Sequence, residues 1–253
     1  MSETVDGPLP TDQADPAALL SVRDLHVHRG EAHILQGIDL DVAPRQVTAL
    51  LGRNGAGKTT TLLALLGLLP AVGDIRLEGR SLDTLPTFKR AQHGIAYVPE
   101  DREVFTQLSV AENLRLAMQS REAEQRLERV HEIFPELARR RTQPAGTLSG
   151  GQQQMLALGR ALLQPASLLL IDEPTKGLAP IVINEVVAAL EELTTDTTVL
   201  LVEQNLRVAQ QLAVNGYVLD HGNVAWNGVV DDLLEDPDLT QQLLGVAGRG
   251  EST

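Results

Sequence analysis

The stretch Gly52-Arg-Asn-Gly-Ala-Gly-Lys58-Thr59 constrains the fold of this chain more than any other. It fits the spacing G-x-x-x-x-G-K-[ST], with the apolar run Val47–Leu51 before it and a helix-forming stretch, Thr59–Leu69, after it. Glycines let the backbone curl until successive N–H groups face one point, and the free helix end adds its positive dipole. Such a loop holds a phosphate chain. Lys58 would place a cation on the β- and γ-phosphates, and Thr59 a hydroxyl on Mg²⁺.

A second run, Leu168-Leu-Leu-Ile171, ends in Asp172-Glu173. The carboxyl end of a central parallel strand is where this class of sheet presents its ligands. Asp172 is then a candidate to hold Mg²⁺ through water, and Glu173 a candidate base for an attacking water. An ordinary strand exit is the bland alternative, which the phosphate loop makes less attractive. A third stretch, Thr147-Leu-Ser-Gly-Gly-Gln-Gln-Gln-Met-Leu156, puts two glycines at the start of an amphipathic helix. A helix tip so stripped of side chains suits an anion.

The rest of the chain sets these pieces in an α/β frame. Leu20–Val42 alternates apolar patches with turn residues such as Arg29-Gly30 and predicts antiparallel strands. Residues 74–82 predict a short strand and turn. Ile95–Val98, Leu168–Ile171 and Val199–Val202 predict buried strands. Ser109-Val-Ala-Glu112 is a capping box that opens a helix. Arg121–Arg140 predicts a second helix, Pro180–Glu192 a third and Asn205–Val214 a fourth. Apolar strands alternating with helices imply a mainly parallel sheet covered on both faces. Residues 1–17 are rich in Pro, Asp, Ser and Thr and predict a flexible acidic tail.

Composition closes several other possibilities. Aromatic residues are only 2%, so Leu, Val, Ile and Ala must build the core. The formal net charge of −13 argues against broad nucleic-acid binding. Most of that charge sits at the ends: residues 1–20 carry four acids and no base, and residues 231–253 carry six acids against Arg249. There is no cysteine, which rules out disulfides and thiolate metal sites and fits a reducing compartment. The longest apolar run, near Leu62–Leu69, is far short of the ~20 residues a spanning helix needs.

Leu148-Ser149-Gly150-Gly151-Gln152, between the phosphate loop and the acidic strand, is identical to the signature of ATP-binding cassette (ABC) ATPases, and the chain resembles that family over about residues 21–245. The resemblance implies a P-loop NTPase core with a mainly parallel sheet, an N-terminal antiparallel β-subdomain and an inserted α-helical subdomain at about 100–160. A single domain would cover 18–245, with 246–253 a second tail. The phosphate-binding set becomes Gly52, Arg53, Asn54, Gly55, Ala56, Gly57, Lys58, Thr59 and Thr60. Ser149, Gly150, Gly151 and Gln152 would grip the γ-phosphate of the ATP held by a second subunit. The cofactors implied are ATP and Mg²⁺.

Three positions depart from the general family pattern. Arg29 stands near where an aromatic ring usually stacks on adenine; its guanidinium could stack instead, or simply be solvated. Glu100 replaces a glutamine and could reach Mg²⁺ or the attacking water. Gln204 replaces a histidine, so it can donate to a γ-phosphate but does not titrate near neutral pH. The same departures resemble one branch. Val98-Pro-Glu100, Arg102, Val104-Phe105, Gly177-Leu-Ala-Pro180 and Val202-Glu-Gln-Asn205 look like the ATP-binding subunit of branched-chain amino-acid importers. Urea and short-chain amide importers are close relatives; Asp101 and Thr106 differ from that branch's common residues.

The implied function is ATP hydrolysis that powers import. The partners would be membrane permease subunits, a second ATPase subunit forming a homo- or heterodimer, and indirectly a solute-binding protein. The place would be the cytoplasmic face of the membrane, with residues around 100–118 toward the permease. Rivals are a urea or amide importer ATPase, a non-transport ABC module and a weakly hydrolysing regulator. Arg139-Arg-Arg141 reads as a solvated helix end or a phosphate or membrane contact. His26 and His28 share a strand face with no third ligand evident, and Trp226 reads as packing or a turn.

Overall fold

The computed structural model describes residues 18–118, 122–193 and 197–245. The expected tails at 1–17 and 246–253 lie outside the described residues. The chain opens with β1 (Leu20–Arg29) and β2 (Ala32–Val42), antiparallel about the turn at Arg29-Gly30 as the alternation predicts. Then come β3 (Val47–Gly52), α1 (Lys58–Leu65), β4 (Val72–Leu77), β5 (Arg80–Ser81), α2 (Thr87–Gln92) and β6 (Ile95–Val98). Four helices follow: α3 (Val110–Ala117), α4 (Ala123–Ile133), α5 (Pro135–Arg139) and α6 (Gly150–Leu162). The remainder is β7 (Leu168–Asp172), α7 (Pro180–Leu193), β8 (Thr198–Val202), α8 (Leu206–Leu212), β9 (Asn215–Asp220), β10 (Asn223–Val229), α9 (Val230–Glu235) and α10 (Pro237–Leu244).

Two sheets result. One is antiparallel, ordered β2-β1-β4-β5; the other is ordered β10-β9-β3-β8-β7-β6, with every pairing parallel except β10 to β9. Every residue of β3, β7 and β8 is buried. Their side chains alternate between two cores. Ala49, Leu51, Leu169, Ile171, Val199 and Leu201 face the helical side. Leu50, Leu168, Leu170, Leu200 and Val202 face α1 and the antiparallel sheet. A strand with an apolar environment on both faces reads as an unbroken apolar run, and these runs carried the strand predictions.

The helices needed more correction. The helix expected over Thr59–Leu69 stops at Leu65, because Gly67 turns the chain at φ +70°. The guanidinium of Arg90 fills the space beside it and donates to the Ala64 and Leu65 carbonyls at 2.9 Å, satisfying the last turn. The helix expected over Arg121–Arg140 is two helices. Pro135 lacks an N–H and pushes Phe134 out of the helical region, to φ −121° and ψ 69°, so α4 ends and α5 begins anew. Arg121 itself lies outside the described residues. The capping box at Ser109 forms as predicted, with Glu112 returning to the Ser109 N–H at 2.8 Å. Among the described residues between β6 and β7 there is no strand, only helices, turns and an isolated antiparallel bridge between Ser109 and Pro144.

Candidate active site

β3 delivers the phosphate loop from the middle of the parallel sheet, between β9 and β8. Glycine is needed at both ends of the loop. A Cβ at Gly52 (φ +143°) would lie 2.4 Å from the Leu219 carbonyl, and one at Gly57 (φ +112°) would lie 2.6 Å from Leu35. Gly57 is the N-cap of α1 and brings no side chain to it, so the first N–H groups of that helix stay available to an anion. Lys58 is 5% exposed and its ammonium donates to the Gly52 carbonyl at 2.8 Å and the Arg53 carbonyl at 3.1 Å. Burial lowers its pKa, while Glu173 and Asp172 oppose that. Thr59 is exposed beside it and Thr60 half-buried.

β7 ends two strands away in the same sheet, and its last residue is Asp172. Asp172 is fully buried, and neither carboxylate oxygen meets a donor in hydrogen-bonding geometry among the described residues. Burial pushes its carboxyl up to about 6; the neighbouring Thr59 hydroxyl works against this, and Glu173 and Glu100 add to it. Since the folded chain keeps this proton to higher pH than the unfolded chain, stability falls as pH rises from the usual 3.8 through about 6. Above that the whole penalty stands, roughly 3 kcal/mol at 1.36 kcal/mol per pKa unit. Asp172→Asn should therefore stabilise the nucleotide-free chain at pH 8 by about 1–3 kcal/mol, the buried amide cancelling part of the gain, and hardly at all at pH 4. Urea denaturation at the two pH values checks this; an equal effect at both would exclude the buried carboxylate as the cause.

Glu173 turns back into the site at φ +44°, a left-handed conformation that a side chain adopts only where its surroundings impose it. Its N–H is fixed to the Val202 carbonyl at 2.9 Å, and its side chain is 7% exposed. Oε1 accepts from Gln204 Nε2 at 2.5 Å and faces the Lys58 ammonium at 3.8 Å. Gln204 also donates to Asn54 of the phosphate loop at 2.6 Å. The structure thus brings Asn54, Lys58, Asp172, Glu173 and Gln204 together at the carboxyl ends of β3, β7 and β8. The carboxylate of Glu100 pairs with Lys176 at 2.6 Å.

Other expected residues stand apart. Arg29 is exposed at the end of β1. Ser149 caps α6 through a capping box with Gln152, and Ser149 is exposed. No hydrogen bond or ion pair among the described residues joins Ser149–Gln152 to the phosphate loop. Within the chain the two glycines also have a packing reason: a Cβ on Gly151 would sit 2.0 Å from Val182 of α7, and one on Gly150 would sit 3.1 Å from Arg102. Arg139 and Arg140 pair with Glu136, as a solvated helix end does. His33 joins His26 and His28, stacking on the latter at 4.0 Å, yet no group of three or more His, Cys, Asp or Glu among the described residues could hold a metal ion. Trp226 packs half-buried in β10.

Sequence reasoning missed two residues here. One is Lys176, whose ammonium meets the carboxylates of Glu100 and Glu173. Glu203, 2% exposed, accepts from Thr175 Oγ1 at 2.6 Å, from Thr175 N at 3.3 Å and from the N–H groups of Gln204 and Asn205 at 3.0 Å each. Burial raises its pKa while these bonds pull the other way. It ties the exits of β7 and β8 together, which sets Gln204 against Glu173. Glu203→Ala should cost about 3 kcal/mol or more, since several buried donors lose their acceptor. Thermal denaturation measures this, and a loss below about 1 kcal/mol would refute it.

The profile of the family described as ABC transporter matches residues 35–176. The high-affinity branched-chain amino acid transport ATP-binding protein BraG of Pseudomonas aeruginosa is 40% identical over 232 residues, covering 90% of this chain and 100% of that protein. This chain belongs to the ABC transporter family. It is an ABC ATPase, which binds and hydrolyses ATP. A probable branched-chain amino acid transport ATP-binding protein, LivF of Archaeoglobus fulgidus, is 38% identical over 224 residues, with 85% of this chain and 94% of that one covered. The lipopolysaccharide export ATP-binding protein LptB of Escherichia coli is 30% identical over 235 residues, covering 90% and 98%. A solved ATP-binding subunit of an ABC transporter superposes with a TM-score of 0.75 at 30% identity, covering 90% and 95% of the two chains. A nucleotide-free cassette reaches 0.80 at 23% identity, covering 92% and 100%, a likeness of fold.

Proposed function

We propose that this ABC ATPase energises uptake of branched-chain amino acids through membrane permease subunits, as one of two ATPase subunits at the cytoplasmic face. The substrate reading rests on the likeness to BraG and LivF together with the Val98-Pro-Glu100 and Val202-Glu-Gln-Asn205 stretches. Among the described residues no helix is long and apolar enough to cross a membrane. Residues around 100–118 are the proposed permease contact, and Phe105 and Leu116 expose apolar surface there.

The catalytic reading rests on one observation: Glu173 is held by Gln204 on the oxygen that faces Lys58. The N–H groups of Gly55 to Thr60 and the Lys58 ammonium hold the triphosphate. Asp172 and Thr59 fit Mg²⁺, since Asp172 offers two buried oxygens with no partner in hydrogen-bonding geometry and the Thr59 hydroxyl lies beside it. Mg²⁺ takes one or two carboxylates together with substrate phosphates, and there it would neutralise charge on the phosphates. Glu173 Oε1 takes the proton of the attacking water. Gln204 keeps that oxygen aimed and Asn54 keeps Gln204 aimed. The tip of α6, where Ser149 is exposed, Gly150 half-buried and Gly151 buried, closes over the nucleotide of the second subunit.

Reconstitution of the chain with its membrane partners in vesicles tests the transport reading. The expected result is ATP-dependent uptake of leucine, isoleucine or valine. Uptake of urea or acetamide instead would reassign the substrate, and ATP-dependent movement of solute outward would refute import.

A further inference from the structure

Three residues past Glu173, the chain curls back on itself. The Lys176 N–H donates to the Glu173 carbonyl at 3.1 Å, and this turn returns the Lys176 ammonium over the Glu173 side chain. Its Nζ lies 3.2 Å from Glu173 Oε2 and 2.6 Å from Glu100 Oε1. The two oxygens of Glu173 therefore have separate holders. Gln204 and Lys58 attend Oε1, and Lys176 attends Oε2. Glu100 and Glu173 meet at one nitrogen. Without a cation there, the buried Glu173 carboxylate would face the half-exposed Glu100 carboxylate unscreened on its own side.

We propose that Lys176 is a positioning residue for ATP hydrolysis, pinning Glu173 Oε2 to Glu100 so that Oε1 stays turned toward Lys58 and the phosphate loop. The inference rests on the reading of Glu173 as the base. Lys176 is itself 51% exposed, and half-exposed ion pairs contribute little to folding. Its effect therefore falls on the chemical step. Lys176 makes no hydrogen bond to the loop glycines or to Lys58 among the described residues and reaches Lys58 only through its charge, so nucleotide affinity should follow it weakly.

The test is steady-state ATP turnover and thermal denaturation of the full chain as wild type, Lys176→Met and Lys176→Arg, with Glu173→Gln run alongside. A misplaced base of this kind costs up to about a hundredfold in rate. Lys176→Met should lower kcat about tenfold to a hundredfold, with KM for ATP within about threefold and the melting temperature nearly unchanged. Lys176→Arg should recover most of the rate, because a guanidinium fork can span both carboxylates. A kcat for Lys176→Met at or above wild type, a loss carried by KM, or a loss that arginine leaves in place would each overturn the proposal. Glu173→Gln separates the two readings. If it is inactive while Lys176→Met is normal, only the positioning role fails; if it turns over normally, the base assignment fails and takes the positioning role with it.

Discussion

Glu173→Gln should bind ATP as well as the parent chain or better, and hydrolyse it about a hundredfold more slowly or worse. The substitution keeps the side chain's length and leaves a carbonyl oxygen to accept from Gln204, so the Asn54–Gln204 link to the phosphate loop survives. What it removes is the ability to take a proton, together with the Oε2 acceptor that Lys176 meets at 3.2 Å, and a positioned base contributes about 10²–10⁴ in rate. It also removes a negative charge 3.8 Å from the Lys58 ammonium, which frees that cation for the phosphates. Binding therefore should not fall. Isothermal titration with ATP and a phosphate-release assay read the two effects separately. Near-normal turnover would take Glu173 out of the chemistry; a loss of affinity equal to the loss of rate would make it a binding residue.

The parts of this molecule that were legible in the sequence share a physical cause. Val47–Leu51, Leu168–Ile171 and Val199–Val202 are buried on both faces, so nothing polar interrupts them. β9 and β10 went unpredicted because their environment differs. β9 begins Asn215-Gly216-Tyr217, and β10 alternates exposed and half-buried residues through Asn223, Asn227 and Gly228, a pattern that also suits a turn. The phosphate loop was legible because its glycines answer to backbone geometry, with Gly52, Gly55 and Gly57 each at a positive φ that a side chain would strain. Lys176 and Glu203 were not. Each acts across strands, Lys176 on Glu100 beyond β6 and Glu203 on Thr175 beyond β7, and nothing in the linear order places those partners. A basic residue three positions after Glu173 was a usable signal, but only once a turn there was assumed. Gly151 teaches the reverse lesson. Its absence of a side chain suits an anion, yet the Val182 contact alone would require it.

That double role decides how the shared-site idea is best tested. Gly151→Ala would drive a methyl into α7 and confuse a damaged fold with a lost contact. Ser149→Arg should leave folding and single-chain nucleotide binding nearly intact and abolish ATP-driven association of two chains. Ser149 is exposed, and its hydroxyl caps α6 by accepting the Gln152 N–H at 3.3 Å, a contribution of about 1 kcal/mol. The phosphate loop shares no hydrogen bond with it among the described residues, so the chain's own ATP should be held as before. A phosphate at the tip of α6 must come within hydrogen-bond reach of the Gly150 and Gly151 N–H groups, which helix geometry leaves without partners in the first turn. An arginine side chain at the adjacent N-cap fills that approach and holds the second chain away. Light scattering with ATP and Mg²⁺ in the Glu173→Gln background, where slow hydrolysis preserves the nucleotide, measures the pairing. If the Ser149→Arg chain pairs as readily as its parent, each triphosphate is enclosed by one chain alone and the tip of α6 has no part in holding it.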